Sequence, residues 1–238
     1  MAYDINSIES LSFREGVRKR IQMYLGSDDI EGTYQALKEI INNSTDEALA
    51  GYGKKIEIEV DESSNSIIVR DFGRGVPFGI REDGENVLVS IYTKSHTGGK
   101  FSNDSYKNAS GLNGIGGTAV CMSSETFTVQ SIRDGKTAIA KFREGNLIDY
   151  NETPIKMNAG IEGTGTIVSF KPDKKVFQNM TDGYSYIRIC EEIKNIAYLN
   201  KGIHFIVETT DGKKEEYYSE NGIADFIKDK VQKPLMLN

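Results

Sequence analysis

The sequence has few of the residues that mark secreted, disulfide-stabilised or membrane proteins. Of its 238 residues, two are cysteine, four are proline and none is tryptophan. Cys121 and Cys190 lie far apart without CxxC spacing, so neither a zinc site nor a disulfide scaffold is indicated. No apolar run reaches the roughly 18 residues of a membrane-spanning helix, and the N-terminus lacks a signal-peptide pattern. We therefore expect a cytoplasmic protein with no membrane contact.

The net charge and the chain length further limit the classes of protein to which this sequence could belong. The 29 Lys and Arg residues against 35 Asp and Glu residues give a net charge of −6. Such a balance argues against a strong non-specific nucleic-acid binder. Hydrophobic residues make up 38% of the chain, which is enough for a folded core of one large or two small domains. The 24 glycines are the most informative excess, since they point to turns and close backbone approaches.

Hydrophobic periodicity predicts an α+β two-layer sandwich, in which helices cover one face of a mixed, mostly antiparallel sheet. The predicted helices cover residues 31–49, 184–199 and 223–230, and the predicted strands cover 56–60, 66–70, 126–132, 137–142, 166–170 and 203–207. Residues 71–117 form a long stretch rich in Gly, Ser, Asn and Lys, which is typical of a lid or binding loop. The basic run at residues 14–20 indicates a solvated or dimer-facing surface rather than a DNA groove.

Two of four candidate motifs carry carboxylates. Glu39 and Asn43 lie four residues apart on the first long helix, with Asp46 one turn further, so the three share a face. A carboxylate beside an amide oxygen can hold a water and Mg²⁺, although an isolated ExxxN is more often a solvated surface. Asp71 ends a strand before Gly73 and Gly75 and could accept a hydrogen bond from an exocyclic amine; alone, this motif could be an ordinary turn.

The other two motifs are rich in glycine. Residues 111–118 (GLNGIGGT) run into the apolar stretch at 119–122, and a glycine-rich loop that enters a helix N-terminus can present backbone N–H groups to phosphates. They lack the GK[ST] of a P-loop and the preceding strand of a dinucleotide fingerprint. Residues 163–166 (GTGT) open a strand and are equally consistent with a plain turn.

In this order the four motifs resemble the Bergerat fold of the GHKL superfamily, the ATP site of gyrase B subunits, MutL-type repair proteins, one heat-shock chaperone family and histidine kinases. Further segments are similar to the N-terminal ATPase domain of type IIA topoisomerase B subunits, in DNA gyrase and topoisomerase IV. They are VRKR at 17–20, MYLG at 23–26, DEALAG at 46–51, GRGVP at 73–77, GGKF at 98–101 and SYK at 105–107. DEALAG and GGKF are not shared by the chaperones or kinases.

The resemblance implies a role for each matching residue. Glu39 would be the general base, Asn43 the Mg²⁺ ligand, and Asp71 the reader of the adenine amine with a water near Thr166. The remaining implied nucleotide contacts are Asp46, Arg74, Gly75 and Pro77 around the base, Lys100 and Tyr106 on the lid, and Gly111, Leu112, Asn113, Gly114, Ile115 and Gly116 around the triphosphate. Arg133 would lie near the mouth of the adenine pocket, and Tyr3 and Ile8 on an arm that crosses to the partner subunit's nucleotide.

The same resemblance implies how the protein is organised. Residues 1–222 would form the ATPase domain, with a dimerisation arm at 1–15 and an ATP lid at 78–117, and residues 223–238 would begin a linker to a transducer domain. ATP and Mg²⁺ would close a dimer gate between two copies for DNA strand passage, with a topoisomerase A subunit and DNA as partners. ATP-site inhibitors would share the pocket. The alternatives are a non-hydrolysing ATP-gated dimerisation module and a MutL-like repair clamp.

Several positions depart from the usual bacterial pattern. Asn42 stands where an Asp is usual, Phe72 replaces an acidic residue, and Ser110 and Asn113 replace a Gly and a His of the phosphate loop. Glu39, Asn43, Asp71 and the glycines at 111, 114 and 116 are intact, so a working ATP site is expected. Gyrase, topoisomerase IV and a plasmid or phage variant all stay open, as does sensitivity to gyrase inhibitors.

Overall fold

The computed structural model describes residues 11–95, 114–154 and 163–231, and these contain seven helices and eight strands. The helices are α1 (Phe13–Lys19), α2 (Gln22–Leu25), α3 (Ile30–Leu49), α4 (Val87–Thr93), α5 (Gly116–Ser123), α6 (Tyr186–Leu199) and α7 (Ile223–Val231). The strands are β1 (Lys55–Asp61), β2 (Ser66–Asp71), β3 (Ser124–Arg133), β4 (Lys136–Arg143), β5 (Asn146–Pro154), β6 (Gly165–Pro172), β7 (His204–Thr209) and β8 (Lys214–Tyr218).

The strands form one sheet in the order β5-β4-β3-β6-β2-β1-β7-β8. Within this sheet β1 and β7 pair in parallel, and the other neighbours pair antiparallel. The register sets Asp71, the last residue of β2, opposite Ile56 of β1, and it pairs Arg70 with Ile167 of β6. The predicted α+β class and the mixed, mostly antiparallel sheet are confirmed.

The core lies between the sheet and the helical layer. Alternate residues of β1, among them Ile56 and Ile58, are fully buried, as expected for a strand with one covered face. α3 buries Leu37, Ile40 and Ile41 at helical spacing, and Asp29 caps its first turn by accepting a hydrogen bond from the Glu31 N–H. The three predicted helices and six predicted strands are all present, with ends shifted by one or two residues.

Several elements have no counterpart in the sequence-based prediction. α4 lies inside the stretch interpreted as a lid, begins after the cap Asn86, and buries Leu88 and Tyr92 in the core. β5 and β8 form the two edges of the sheet, and their side chains are mostly exposed. An edge strand with little burial has no alternation of apolar and polar residues from which it could be predicted.

The basic run at residues 14–20, predicted to form a solvated or dimer-facing surface, is not solvated throughout, because the Arg18 side chain is only 15% exposed. Residues 13–19 form α1, which Ser12 and Glu15 open with a capping box. Arg14 donates to the Glu144 carbonyl oxygen at 2.6 Å, and Arg18 pairs with Asp173 at 2.5 Å. These side chains therefore fasten α1 to the rest of the chain.

Within the described residues, no helix has both the length and the apolar character needed to cross a membrane.

Candidate functional site

The helix α3 carries the first group of candidate residues. Glu39 is partly buried, and its Oε1 accepts a hydrogen bond of 2.9 Å from Nε2 of Gln35, one turn earlier. Asn43 is exposed, whereas the side chain of Asp46 is buried. α3 thus presents a carboxylate and an amide together, while Asp46 lies deeper beneath them.

The N-terminus of α5 approaches Glu39 and Asn43 from the opposite side. Gly114 has φ +60°, and the N-cap residue Ile115 provides no side-chain cap. A Cβ at Gly116 would overlap Oε2 of Glu39, and one at Gly117 would lie 3.5 Å from Nδ2 of Asn43. A Cβ at position 116 would have to displace the Glu39 carboxylate, so the first turn of α5 lies directly beside it, with no side-chain cap from Ile115 on its backbone N–H groups. An uncapped helix N-terminus favours an anionic ligand.

The carboxylate of Asp71 lies at the end of β2 and is held by three hydrogen bonds. Its Oδ1 accepts from the N–H of Gly73 at 3.0 Å and from the N–H of Thr166 at 3.1 Å. Its Oδ2 accepts from the Ser44 hydroxyl at 3.3 Å. An ionised carboxylate has about four lone-pair sites, so Oδ2 retains capacity for a further donor. Asp71 can therefore accept a hydrogen bond from a ligand amine without losing its own anchors.

The pKa of Asp71 is raised to about 6. Burial is the main cause and the charge of Glu47 adds to it, while the hydrogen bonds from Gly73, Thr166 and Ser44 act in the opposite direction. Burial, with a smaller contribution from Asp71, also raises the pKa of Tyr92 on α4. A carboxylate that is only 8% exposed and titrates near neutrality is typical of a functional site.

The loop after β2 lies beside Asp71 and forms the rim of the site. Arg74 donates to both carboxylate oxygens of Glu47, with Nε at 2.7 Å and Nη2 at 3.0 Å, and its guanidinium stacks on Tyr52. Gly75 has φ +78°, and a Cβ there would come within 2.5 Å of the Ile132 carbonyl oxygen. Two further hydrogen bonds hold this rim. Arg133 donates to the Gly75 carbonyl oxygen at 3.3 Å, and the Val76 N–H donates to Oγ1 of Thr166 at 3.3 Å. Pro77, the next residue along the loop, is exposed.

The structure thus brings together the two carboxylate-bearing motifs, the end of the phosphate loop at Gly114, Ile115 and Gly116, and Thr166 of the fourth motif. Seven other residues with implied roles lie outside the described residues: Tyr3, Ile8, Lys100, Tyr106, Gly111, Leu112 and Asn113. In the ranges 11–95, 114–154 and 163–231 no three His, Cys, Asp or Glu residues are grouped to hold a metal ion.

Sequence reasoning missed three residues that build the site. Ser44 donates to Asp71, Glu47 fixes Arg74, and Gln35 donates to Glu39. Ser44 carried a signal, because it is a polar residue four positions from the apolar Ile40 and Ala48 on the buried stripe of α3. Glu47 lies within the DEALAG segment, but its pairing with Arg74 depends on a loop 27 residues away.

Comparison with known proteins gives a family and several relatives. Residues 28–176 match the family described as histidine kinase-, DNA gyrase B-, and HSP90-like ATPase. The DNA gyrase B protein of Enterococcus faecalis is 36% identical over 229 residues, which are 94% of this chain and 35% of that protein. The DNA topoisomerase 4 B protein of Bacillus subtilis is 36% identical over 226 residues, 94% of this chain and 34% of that protein.

Among solved structures, the chain is similar to the 43K ATPase domain of Thermus thermophilus gyrase B, crystallised in complex with an aminocoumarin. The TM-score is 0.76 and the identity 31%, and the match covers 94% of this chain and 56% of that one. The chain spans about a third of the length of the curated relatives it matches.

Proposed function

The chain belongs to the family of histidine kinase-, DNA gyrase B- and HSP90-like ATPases, and we propose that Glu39 is the general base of its ATP hydrolysis. The observation that carries this proposal is the packing of Gly116 against Glu39, with no room for a Cβ between them. A carboxylate at the N-terminus of α5 lies within reach of a water positioned beside a phosphate that the helix binds. The Gln35 amide orients the carboxylate through Oε1.

The proposal assigns the adenine end of the nucleotide to Asp71. Oδ1 is already fixed by two backbone N–H groups, whereas Oδ2 receives only the 3.3 Å hydrogen bond from Ser44 among the described residues. The exocyclic amine of adenine supplies the donor that Oδ2 can take. Thr166, whose Oγ1 accepts from Val76, sits beside this contact and would hold a bridging water. Arg74, Gly75 and Pro77 would line the outer edge of the base.

The phosphate end is proposed to lie on Gly114, Ile115 and Gly116. The residues fit Mg²⁺, because the amide oxygen of an exposed Asn43 is a hard ligand and Mg²⁺ usually takes few protein ligands beside phosphates and waters. Bound there, Mg²⁺ would neutralise phosphate charge. Catalysis of phosphoryl transfer is mostly positioning and electrostatics, which Glu39 and the α5 N–H groups supply from rigid elements.

We further propose that the domain works in an ATP-dependent type II DNA topoisomerase in the cytoplasm. The sequence relatives named as gyrase and topoisomerase 4 B proteins support this, as do two buried cysteines without a disulfide. ATP would close a gate between two copies through the arm bearing Tyr3 and Ile8, with a topoisomerase A subunit and DNA as partners in the whole enzyme. Aminocoumarin-type inhibitors would compete at the adenine end. The same relatives do not favour the non-hydrolysing module or the MutL-like clamp.

The direct experiment compares Glu39→Gln with the wild type in binding and in turnover. We expect Glu39→Gln to bind a non-hydrolysable ATP analogue normally in calorimetry and to lose a factor of ~10²–10⁴ in phosphate release. Glu31→Gln is the matched control, because Glu31 is an acid on the same helix that pairs with Arg188 away from the site. Normal turnover by Glu39→Gln would refute the general-base assignment. Binding without turnover in the wild type would restore the non-hydrolysing alternative.

Dimer closure is tested by sedimentation of the wild type and of Tyr3→Ala/Ile8→Ala with the same analogue and Mg²⁺. We expect nucleotide to promote dimers of the wild type but not of the double variant, which should still bind the analogue. A dimer of equal strength in both proteins would contradict the role proposed for the arm.

A further inference from the structure

The C-terminal end of α5 is held by groups from distant parts of the chain. A helix leaves its last four carbonyl groups without intrahelical partners, and in α5 these belong to Val120, Cys121, Met122 and Ser123. The Val120 oxygen accepts from the Ser123 and Ser124 hydroxyls, and the Cys121 oxygen accepts from the Ser124 N–H. These three donors are local.

The other two carbonyl groups of this end are satisfied by Arg18 and Asp173. Nη1 of Arg18 donates to the Met122 oxygen at 2.9 Å, and the Asp173 N–H donates to the Ser123 oxygen at 3.0 Å. Nη2 of Arg18 also donates to Oδ2 of Asp173 at 2.5 Å, so the two anchors are joined to each other. The side chains of Arg18 and Asp173 are only 15% and 5% exposed. This is a fixed guanidinium fork rather than a mobile surface pair.

We propose that Arg18 is a positioning residue for the triphosphate, acting through α5. An eight-residue helix is a rod about 12 Å long, so a shift at Met122 also moves Gly116 against Glu39. Arg18 acts on the end of α5 opposite the phosphates, where its contacts with Met122, Asp173 and Glu144 hold the helix in place. The inference rests on the proposed function, because it takes the N-terminus of α5 as the phosphate site.

The test separates the two ends of the nucleotide. Arg18→Ala, Arg18→Lys and the wild type are titrated with a non-hydrolysable ATP analogue plus Mg²⁺ and, by NMR, with adenosine. We expect Arg18→Ala to weaken analogue binding about three- to tenfold while adenosine binding stays unchanged. Lysine keeps the positive charge and can donate to one of the two acceptors of Arg18, so Arg18→Lys should bind the analogue more tightly than Arg18→Ala but less tightly than the wild type. General destabilisation of the fold would not distinguish the two ligands.

Arg14→Ala is the matched control. Arg14 lies one turn earlier on α1 and donates to the Glu144 carbonyl oxygen rather than to α5, so its removal should change neither affinity. If Arg18→Ala does not fold, Arg18→Gln retains a neutral donor and should give a smaller loss in the same direction. Equal losses for both ligands, or no loss for either, would overturn the inference. Failure of the wild type itself to bind the analogue would instead overturn the proposed function.

Discussion

Gly116 lies so close to Glu39 that a Cβ at position 116 would overlap Oε2 of the carboxylate. The two residues come from different helices, and their contact sets the distance between the N-terminus of α5 and the acidic face of α3. A side chain at position 116 would therefore have to displace the Glu39 carboxylate, and no turn explains the glycine, because Gly116 is the first residue of a helix.

Gly116→Ala should therefore lose turnover with less effect on binding. The added methyl group must displace either Glu39 or the start of α5, and a misplacement of about 1 Å can cost ~10²-fold in rate. Steady-state phosphate release and calorimetry with a non-hydrolysable analogue measure the two effects separately.

Gly117→Ala is the control for helix propensity. Both substitutions place Ala in a helix, where it is favoured over Gly by up to about 1 kcal/mol. A Cβ at Gly117 would lie 3.4 Å from Cε1 of Tyr92, which is ordinary contact. We expect Gly117→Ala to keep most of the turnover, and an equal loss in both variants would show that the contact with Glu39 is not the cause.

Asp71→Asn should stabilise the protein without nucleotide while weakening its binding of adenine. Because the pKa of Asp71 is raised from 3.8 to about 6, keeping this carboxylate ionised in the folded state costs on the order of 3 kcal/mol of unfolding free energy, at about 1.4 kcal/mol per pH unit. Between those values the folded state binds more protons than the unfolded state, so stability falls as pH rises through this window. Asn keeps the acceptor for Gly73 and Thr166 but carries no buried charge. Denaturant unfolding at pH 4 and pH 7 should show the advantage of Asn growing with pH.

The affinity for adenosine should depend on pH in the wild type but not in Asp71→Asn. Protonation of Asp71 below about pH 6 removes charge from the oxygen that would accept the adenine amine, so binding should weaken as pH falls. Adenosine is used because it has no phosphate that titrates nearby. NMR titrations at pH 5 and pH 7.5 measure the difference, and equal affinities in the wild type would contradict the role of Asp71.

Much of the fold and part of the site follow from local sequence patterns. The stripe of Leu37, Ile40 and Ile41 defines α3, and alternation defines β1, so that Glu39, Asn43 and Asp71 could be placed on known elements. The order of the motifs supplied the resemblance, and the resemblance supplied a role for each residue. In the structure Gly116 lies against Glu39.

The contacts that hold the site could not be predicted in this way. Ser44 reaches Asp71 across 27 residues, and Arg18 reaches Met122 across 104. No periodic pattern in the local sequence predicts either contact, because both depend on how α1, α3 and α5 pack on the sheet. α4 was missed because its apolar residues form one short run inside a polar, glycine-rich stretch, and a run of that length shows no helical period.

Glu47→Gln should lower both the unfolding free energy of the protein and the pKa of Asp71, whereas Tyr52→Ala should lower only the unfolding free energy. Glu47 accepts from the N–H, Nε and Nη2 of Arg74, while Tyr52 stacks on the same guanidinium with 3.9 Å from Cζ to the ring centroid. Replacing Glu47 removes the charge from these bonds and should cost about 1–2 kcal/mol of unfolding free energy. It also removes a negative charge that raises the pKa of Asp71, so that pKa should fall.

Tyr52→Ala should cost about 0.5–1 kcal/mol of unfolding free energy through lost stacking. It should leave the pKa of Asp71 unchanged, because the Tyr52 ring carries no charge. NMR titration of the Asp71 carboxyl carbon in both variants measures the contrast. A common shift would mean that the position of Arg74, rather than the charge of Glu47, controls Asp71.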